Sequence, residues 1–153
     1  MHPILLSLHV ASVVLWVGGM FFAWMCLRPV AAAQLEPPAR LTLWVGVFAR
    51  FFPWVWGAVA LILLTGLMTM MALGMKHSPP HWHLMLLLGL VMSGIFVYVV
   101  TVPYARLRQA VAESNWQAGG AALGKIRQLI GTNLILGFVT VAVATAGRLL
   151  VAM

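Results

Sequence analysis

Four stretches of the chain, each 20 residues or longer, contain no Asp, Glu, Lys or Arg. They are Pro3–Leu27, Phe51–Met75, His77–Ala105 and Gln128–Gly147. About 20 apolar residues cross a bilayer as a helix, and a backbone in lipid must satisfy its own hydrogen bonds. Of the 153 residues, 63% are hydrophobic and 7% are charged. This composition excludes a water-soluble domain, because small domains leave a large share of their surface in solvent. The sequence predicts an all-α, integral membrane bundle of four transmembrane helices.

Polar and proline-containing segments separate the four stretches and predict where the helices end. Arg28-Pro29 is expected to end the first helix, Lys76–Pro80 to form a turn, and Glu113–Gly120 to form a polar loop. We therefore predict a single domain over residues 1–153, with helices at about 3–28, 43–75, 81–106 and 121–151.

The distribution of basic residues predicts the orientation. Seven of the nine Lys and Arg lie at the first and third connections: Arg28, Arg40, Arg50, Arg106, Arg108, Lys125 and Arg127. Only Lys76 and Arg148 lie on the other side. Because cytoplasmic loops carry the excess of Lys and Arg, both termini are expected outside the cytoplasm. We call the end with the seven basic residues the cationic end. Its charge suits anionic lipid headgroups rather than nucleic acid.

All five histidines lie at the opposite end, which holds both termini and the second connection. They are His2, His9, His77, His81 and His83. We call this the histidine end. His9 lies about two turns into the membrane, where an ionisable group usually faces the bundle interior. Its ring either hydrogen-bonds a neighbouring helix or binds a metal, and the sequence leaves both possibilities open. His77, in the turn, is interpreted as a solvated side chain.

Methionines accompany the histidines at this end. Met68, Met71 and Met75 recur at helical spacing, and Met85 lies just inside the third helix. Such a stripe is more often packing than ligand, but thioether sulfur selects Cu(I), and imidazole binds copper as well. The candidate metal ligands are therefore His9, His81, His83, Met71, Met75 and Met85.

No hydrolytic motif is present, and the two acidic residues, Glu36 and Glu113, both lie at the cationic end. Any chemistry inside the membrane must therefore come from His, Met, Cys or a bound cofactor. Thr65, Thr132 and Asn133 are expected to form hydrogen bonds between helices.

Two blocks of sequence resemble a known family. The run Leu8–Phe21, with Leu15-Trp16-Val17-Gly18-Gly19, and the block Ala49–Leu67, with an Arg at its start and Leu64-Thr65-Gly66 at its far end, are similar to the copper resistance protein D (CopD-like) family. The resemblance implies an inner-membrane protein of periplasmic copper handling or uptake, with copper as its metal. Longer members have more helices, so this chain would be a minimal version with four.

A second, looser similarity is to the four-helix haem-b protoporphyrinogen oxidases of bacteria. It implies that His9 binds haem, with His83 or Met85 as the opposite axial ligand. Arg148 at the same end would pair with a porphyrin propionate. Met85 stands where that family carries an important Lys.

Three functions are therefore open. The first is copper handling, with a periplasmic copper-binding protein as partner. The second is a haem-b redox protein that exchanges electrons with quinone or with a porphyrinogen. The third is a structural or assembly subunit without a cofactor, in which the histidines only pack. A homo-oligomer is left open.

Overall fold

The computed structural model describes the backbone of residues 3–151 and the side chains of residues 3–147. The described chain contains six α-helices and no strand, which confirms the all-α prediction. The helices are α1 (Pro3–Phe22), α2 (Arg28–Gln34), α3 (Pro37–Leu73), α4 (Pro80–Thr101), α5 (Pro103–Ala112) and α6 (Trp116–Val151). A π-helical turn, Ala23–Leu27, joins α1 to α2, and a 3-10 turn, Met75–His77, follows α3.

Four helices are long and apolar enough to cross a membrane, as the sequence predicted. These are Pro3–Gln34, Pro37–Leu73, Pro80–Ala112 and Trp116–Gly147. They form a ring in which α1 packs on α3, α3 on α4, α4 on α6, and α6 on α1. The contacts of α1 with α3 and of α4 and α5 with α6 are the most extensive. The bundle therefore consists of two well-packed helix pairs that meet along a thinner interface.

The helices extend well beyond the membrane at the cationic end. Helix α3 has 37 residues, or about 55 Å at 1.5 Å per residue, against about 30 Å of hydrocarbon. Its charge-free part begins only at Phe51, so the first turns lie outside the apolar layer. The extension is closed by an apolar core in which Leu107 and Ile126 are completely buried (0% exposed).

Aromatic rings continue this core into the membrane. Phe48 stacks on Phe52 with ring centroids 5.0 Å apart, and Tyr104 meets both rings edge-on at 5.9 and 5.0 Å. The Tyr104 hydroxyl donates a hydrogen bond to the Val45 carbonyl (3.3 Å). This contact attaches α5 to α3.

The prediction that Arg28-Pro29 ends the first helix is wrong. The Arg28 N–H donates to the carbonyl of Ala23, five residues back, in the π-helical turn. This wider turn immediately precedes Pro29, so the helix accommodates the missing N–H and continues to Gln34. The loop predicted over Glu113–Gly120 is also shorter, because Asn115 accepts a hydrogen bond from the Ala118 N–H and starts α6 at Trp116.

The turn at the histidine end matches its prediction. Gly74 has a φ of +86° and ends α3 in a conformation that favours glycine. Pro80 begins α4, where its lack of an N–H costs nothing. Ser78 is buried between them and donates toward the Gly74 carbonyl (3.3 Å). The turn therefore fixes the separation of α3 and α4 at this end.

Candidate functional site

His9 faces another helix of the bundle. Its Nδ1 lies 2.8 Å from the Thr65 hydroxyl oxygen on α3. The ring is partly buried, and its Cε1 lies close to Gly66, where an added Cβ would stand 3.7 Å away. That distance is an ordinary van der Waals contact, so the ring packs directly beside α3. This geometry agrees with the expectation that a histidine two turns into the membrane turns toward the bundle interior.

The hydrogen bonds of Thr65 favour one tautomer of His9, and that tautomer follows from assigning the Thr65 proton to its own helix. The Thr65 hydroxyl donates its one proton to the carbonyl of Leu61 in its own helix. It therefore has only lone pairs for His9, so Nδ1–H is the donor in the His9–Thr65 bond. In the neutral ring the lone pair is then on Nε2, the nitrogen through which imidazole commonly binds metals. Thr65 holds His9 in a tautomer suited to coordination.

His81 is held by the other helix pair. Its side chain packs against Gly147 of α6 so closely that a Cβ there would lie 2.6 Å from both Cβ and Cγ of His81. The ring meets Trp82 edge-on with centroids 6.3 Å apart. His9 thus belongs to the α1–α3 pair and His81 to the α4–α6 pair, on either side of the thinner interface.

His83 and Met85 lie on the first turns of α4. His83 is exposed, and its Nδ1 is 3.4 Å from the carbonyl of Pro79. Because a carbonyl only accepts, this long contact also makes Nδ1 the donor and leaves the Nε2 lone pair available. Met85 is half-buried.

Two of the candidate methionines, Met71 near the end of α3 and Met75 in the 3-10 turn that follows, are exposed. Met71 is 65% exposed and Met75 is 43% exposed. Neither sulfur is enclosed by the packed bundle, so these side chains are accessible from lipid or from the membrane surface. Met70, beside them, is buried and belongs to the packing.

Within residues 3–147, no three His, Cys, Asp or Glu side chains come together in a group that could hold a metal ion. The three candidate histidines therefore do not form a ready three-ligand site in this conformation. The side chain of Arg148, a candidate propionate partner, lies outside the described residues.

The predicted hydrogen bonds between helices are correct at two of three positions. Thr65 pairs with His9 of α1, and the Asn133 amide donates to the Met92 carbonyl on α4 (3.1 Å). The prediction for Thr132 is wrong, because its hydroxyl donates to Gln128 in its own helix (3.0 Å).

Comparison with known proteins assigns the family. The family model of copper resistance protein D (CopD) matches residues 45–147, more than half of the chain. The chain belongs to the copper resistance protein D family. No curated protein and no solved structure matches it.

The match to the CopD family covers only part of the candidate site. It includes the block that ends in Leu64-Thr65-Gly66, the histidine-end turn and the start of α4. It begins within α3, so His9 on α1 lies outside the matched residues. The hydrogen bond between His9 and Thr65 therefore joins the unmatched helix of this CopD chain to the matched part.

Sequence reasoning missed the partner of His81. In the sequence, Gly147 only ends a charge-free stretch. In the structure, the side chain of His81 packs directly against it. A small residue near the end of α6, level with the histidine-end turn, was the available signal.

The CopD match gives no support to the haem alternative. One cavity lies at the cationic end and another in the central core, and His9 lines neither of them. No observation on the described residues favours a porphyrin, so haem remains only the second prediction from the sequence.

Proposed function

We propose that this CopD-family protein binds copper at its histidine end and handles the ion as substrate. Membership of the copper resistance protein D family supports the metal. The observation that carries the proposal is the His9–Thr65 hydrogen bond, because with Nδ1 as the donor the Nε2 lone pair of a partly buried imidazole can accept a metal.

The remaining ligands are proposed from the same end. His81 and His83 lie at the start of α4. Thioether sulfur comes from Met71 on α3, Met75 in the 3-10 turn and Met85 on α4. Imidazole and thioether together suit Cu(I), and neither adds a negative charge to the membrane. Since His9 and His81 sit on different helix pairs, copper would be shared across the interface between the pairs.

The exposed methionines suggest how the ion is received. Met71 and Met75 are accessible from outside the bundle, while His9 lies deeper along α1. We propose that the thioethers receive copper from a donor at the membrane surface and pass it to the imidazoles. In this proposal the histidine end faces the periplasm of a bacterial inner membrane, and the donor is a periplasmic copper-binding protein.

The test is the Cu(I) affinity of the full chain in phosphatidylcholine nanodiscs, measured by competition with a chromophoric Cu(I) chelator. His9→Ala is expected to weaken binding by at least about tenfold, since loss of even an outer-shell partner commonly costs 10–100-fold.

His77→Ala is the matched control. His77 lies in the 3-10 turn at the same end, and its loss should leave the affinity unchanged. A variant without His9, His81 and His83 that binds Cu(I) as tightly as the unmodified chain would overturn the proposal.

A further inference from the structure

A groove of about 380 Å³ opens at the cationic end, between α5 and the beginning of α6. Alanines at 118, 121 and 122 line the α6 side at helical spacing. Their small side chains leave the space that larger residues would fill. The groove is distinct from the histidine end and takes no part in the proposed copper site.

The polar lining of the groove is asymmetric. Arg106 and Lys125 contribute two positive charges, and Glu113 contributes one negative charge. Glu113 already accepts a hydrogen bond from the Gln109 amide (2.9 Å). It also lies seven residues beyond Arg106 on the same helical stretch, about 10 Å farther from the membrane. The membrane side of the groove is therefore cationic.

The apolar lining continues toward the membrane. Tyr98 and Val102 border the groove where α4 passes into α5, and Tyr98 is 44% exposed. A ligand in the groove would thus meet two cations with its anionic part and an aromatic, apolar wall with the rest. This combination matches an amphiphile rather than a soluble anion.

We propose that this groove binds the phosphodiester headgroup of an anionic glycerophospholipid. Arg106 and Lys125 contact the phosphate, and the acyl chains extend along Tyr98 and the lipid-facing side of α4. The bound lipid fills the space above the alanines and bridges α5 to α6, so it fixes the cationic end at the headgroup level.

The experiment measures which lipid the purified full chain retains. The protein is equilibrated with equal amounts of phosphatidylglycerol and phosphatidylcholine, and bound lipids are counted by native mass spectrometry. The unmodified chain should retain phosphatidylglycerol preferentially. The double variant R106Q/K125Q should lose this preference by about tenfold, since each basic residue near an anionic surface contributes substantially.

The matched control is R108Q/R127Q. It removes the same charge from the same two helices, and neither residue lines the groove. A preference for phosphatidylglycerol that survives in the control and disappears in R106Q/K125Q supports the proposal. Equal loss in both variants would mean that net charge alone attracts the lipid, and would overturn it.

A third variant, A118F, fills the groove and leaves every charge in place. We expect it to lose the lipid as well, and unchanged retention would also overturn the proposal. Competition with inorganic phosphate separates the two sources of phosphate. Displacement of the lipid by millimolar phosphate would show that the groove binds a free anion instead.

Discussion

The two ends of the bundle differ in the polarity of their buried side chains. The buried residues of the cationic end are apolar, and large side chains such as Leu41, Trp44, Phe48, Leu107 and Ile126 are among them. The buried side chains toward the histidine end include four hydroxyls: Ser12, Thr65, Thr69 and Ser78. The interior of the cationic end is apolar apart from the Tyr104 hydroxyl, whereas the histidine end buries several hydroxyl groups.

The hydroxyls share one pattern of hydrogen bonding. Each hydroxyl donates to a nearby backbone carbonyl. Ser12, Thr65 and Thr69 donate within their own helix, and Ser78 donates to Gly74 at the end of α3. Their lone pairs are left to accept, and at Thr65 the donor is His9. Apolar packing therefore stabilises the fold at the cationic end. At the histidine end, the hydroxyl of Thr65 orients the ring of His9. The following predictions test this division.

The largest effect on stability is expected for Leu107→Ala. Leu107 is completely buried in the core of the cationic end, and emptying such a site costs about 2–5 kcal/mol of unfolding free energy. Unfolding in detergent, followed by far-ultraviolet circular dichroism, measures it. Leu87→Ala on the exposed face of α4 is the control and should change the free energy by less than about 0.5 kcal/mol. Similar losses of unfolding free energy in the two variants would show that packing at the cationic end does not dominate the stability of the bundle.

A smaller loss is expected for Gly147→Ala at the histidine end. The new methyl group would lie 2.6 Å from Cβ and Cγ of His81, so α4 and α6 must separate, at a cost of about 1–3 kcal/mol. Gly94→Ala provides the comparison, because a Cβ at Gly94 meets no atom within 4 Å. The same unfolding measurement applies. Equal stability of the two variants would contradict the close His81–Gly147 contact.

If His81 is a copper ligand, Gly147→Ala should also weaken Cu(I) binding while Gly94→Ala does not. This second measurement separates packing from coordination. A destabilised Gly147→Ala variant that binds copper normally would remove His81 from the proposed ligands and leave the packing contact intact.

Thr65→Val tests orientation with little change in volume. Valine cannot accept the hydrogen bond from Nδ1 of His9, so the ring loses its fixed tautomer. Cu(I) affinity should fall about tenfold, the lower end of what outer-shell partners contribute. Thr65→Ser keeps the hydroxyl and should restore most of the affinity.

Thr69→Val is the control one turn away on α3. The Thr69 hydroxyl donates to the Thr65 carbonyl (2.8 Å), and no histidine contact is shown for it, so its loss should leave copper binding unchanged. A decrease as large as that of Thr65→Val would indicate a general effect on α3 rather than a specific effect on His9.

Four charge-free stretches predicted the membrane helices. A stretch that crosses the hydrocarbon layer needs about 20 apolar residues and must satisfy its backbone hydrogen bonds as a helix. Where they end was less predictable. The helices continue past Arg28-Pro29 and begin again at Pro37, because a π-helical turn and tertiary packing outweigh the local signals of proline and charge.

The candidate site was predictable only in part. The depth of His9 in the first stretch indicated an inward-facing ring, and the structure places it against Thr65. That the Thr65 proton goes to Leu61, and so fixes the tautomer, depends on helix geometry that sequence spacing alone does not reveal. Whether His9 and His83 share an ion depends on the relative position of two helix pairs, which residue patterns within one helix cannot specify.

The smallest effect is expected at Asn133, where the two ends meet. Asn133 is 3% exposed, its amide donates to the Met92 carbonyl, and its Oδ1 has no hydrogen-bond partner among the described residues. Asn133→Leu removes one hydrogen bond between α6 and α4, which is worth about 0.6 kcal/mol on average in a membrane protein. It also removes a buried acceptor without a partner, which offsets the loss. The unfolding free energy should therefore change by less than about 1 kcal/mol.

Leu134→Ala, at the adjacent buried position, should cost about 2 kcal/mol or more, because it leaves a cavity. If Asn133→Leu proves the more damaging of the two, the polar bond holds the centre of the bundle together, and the separation into a cohesive end and an orienting end fails at their boundary.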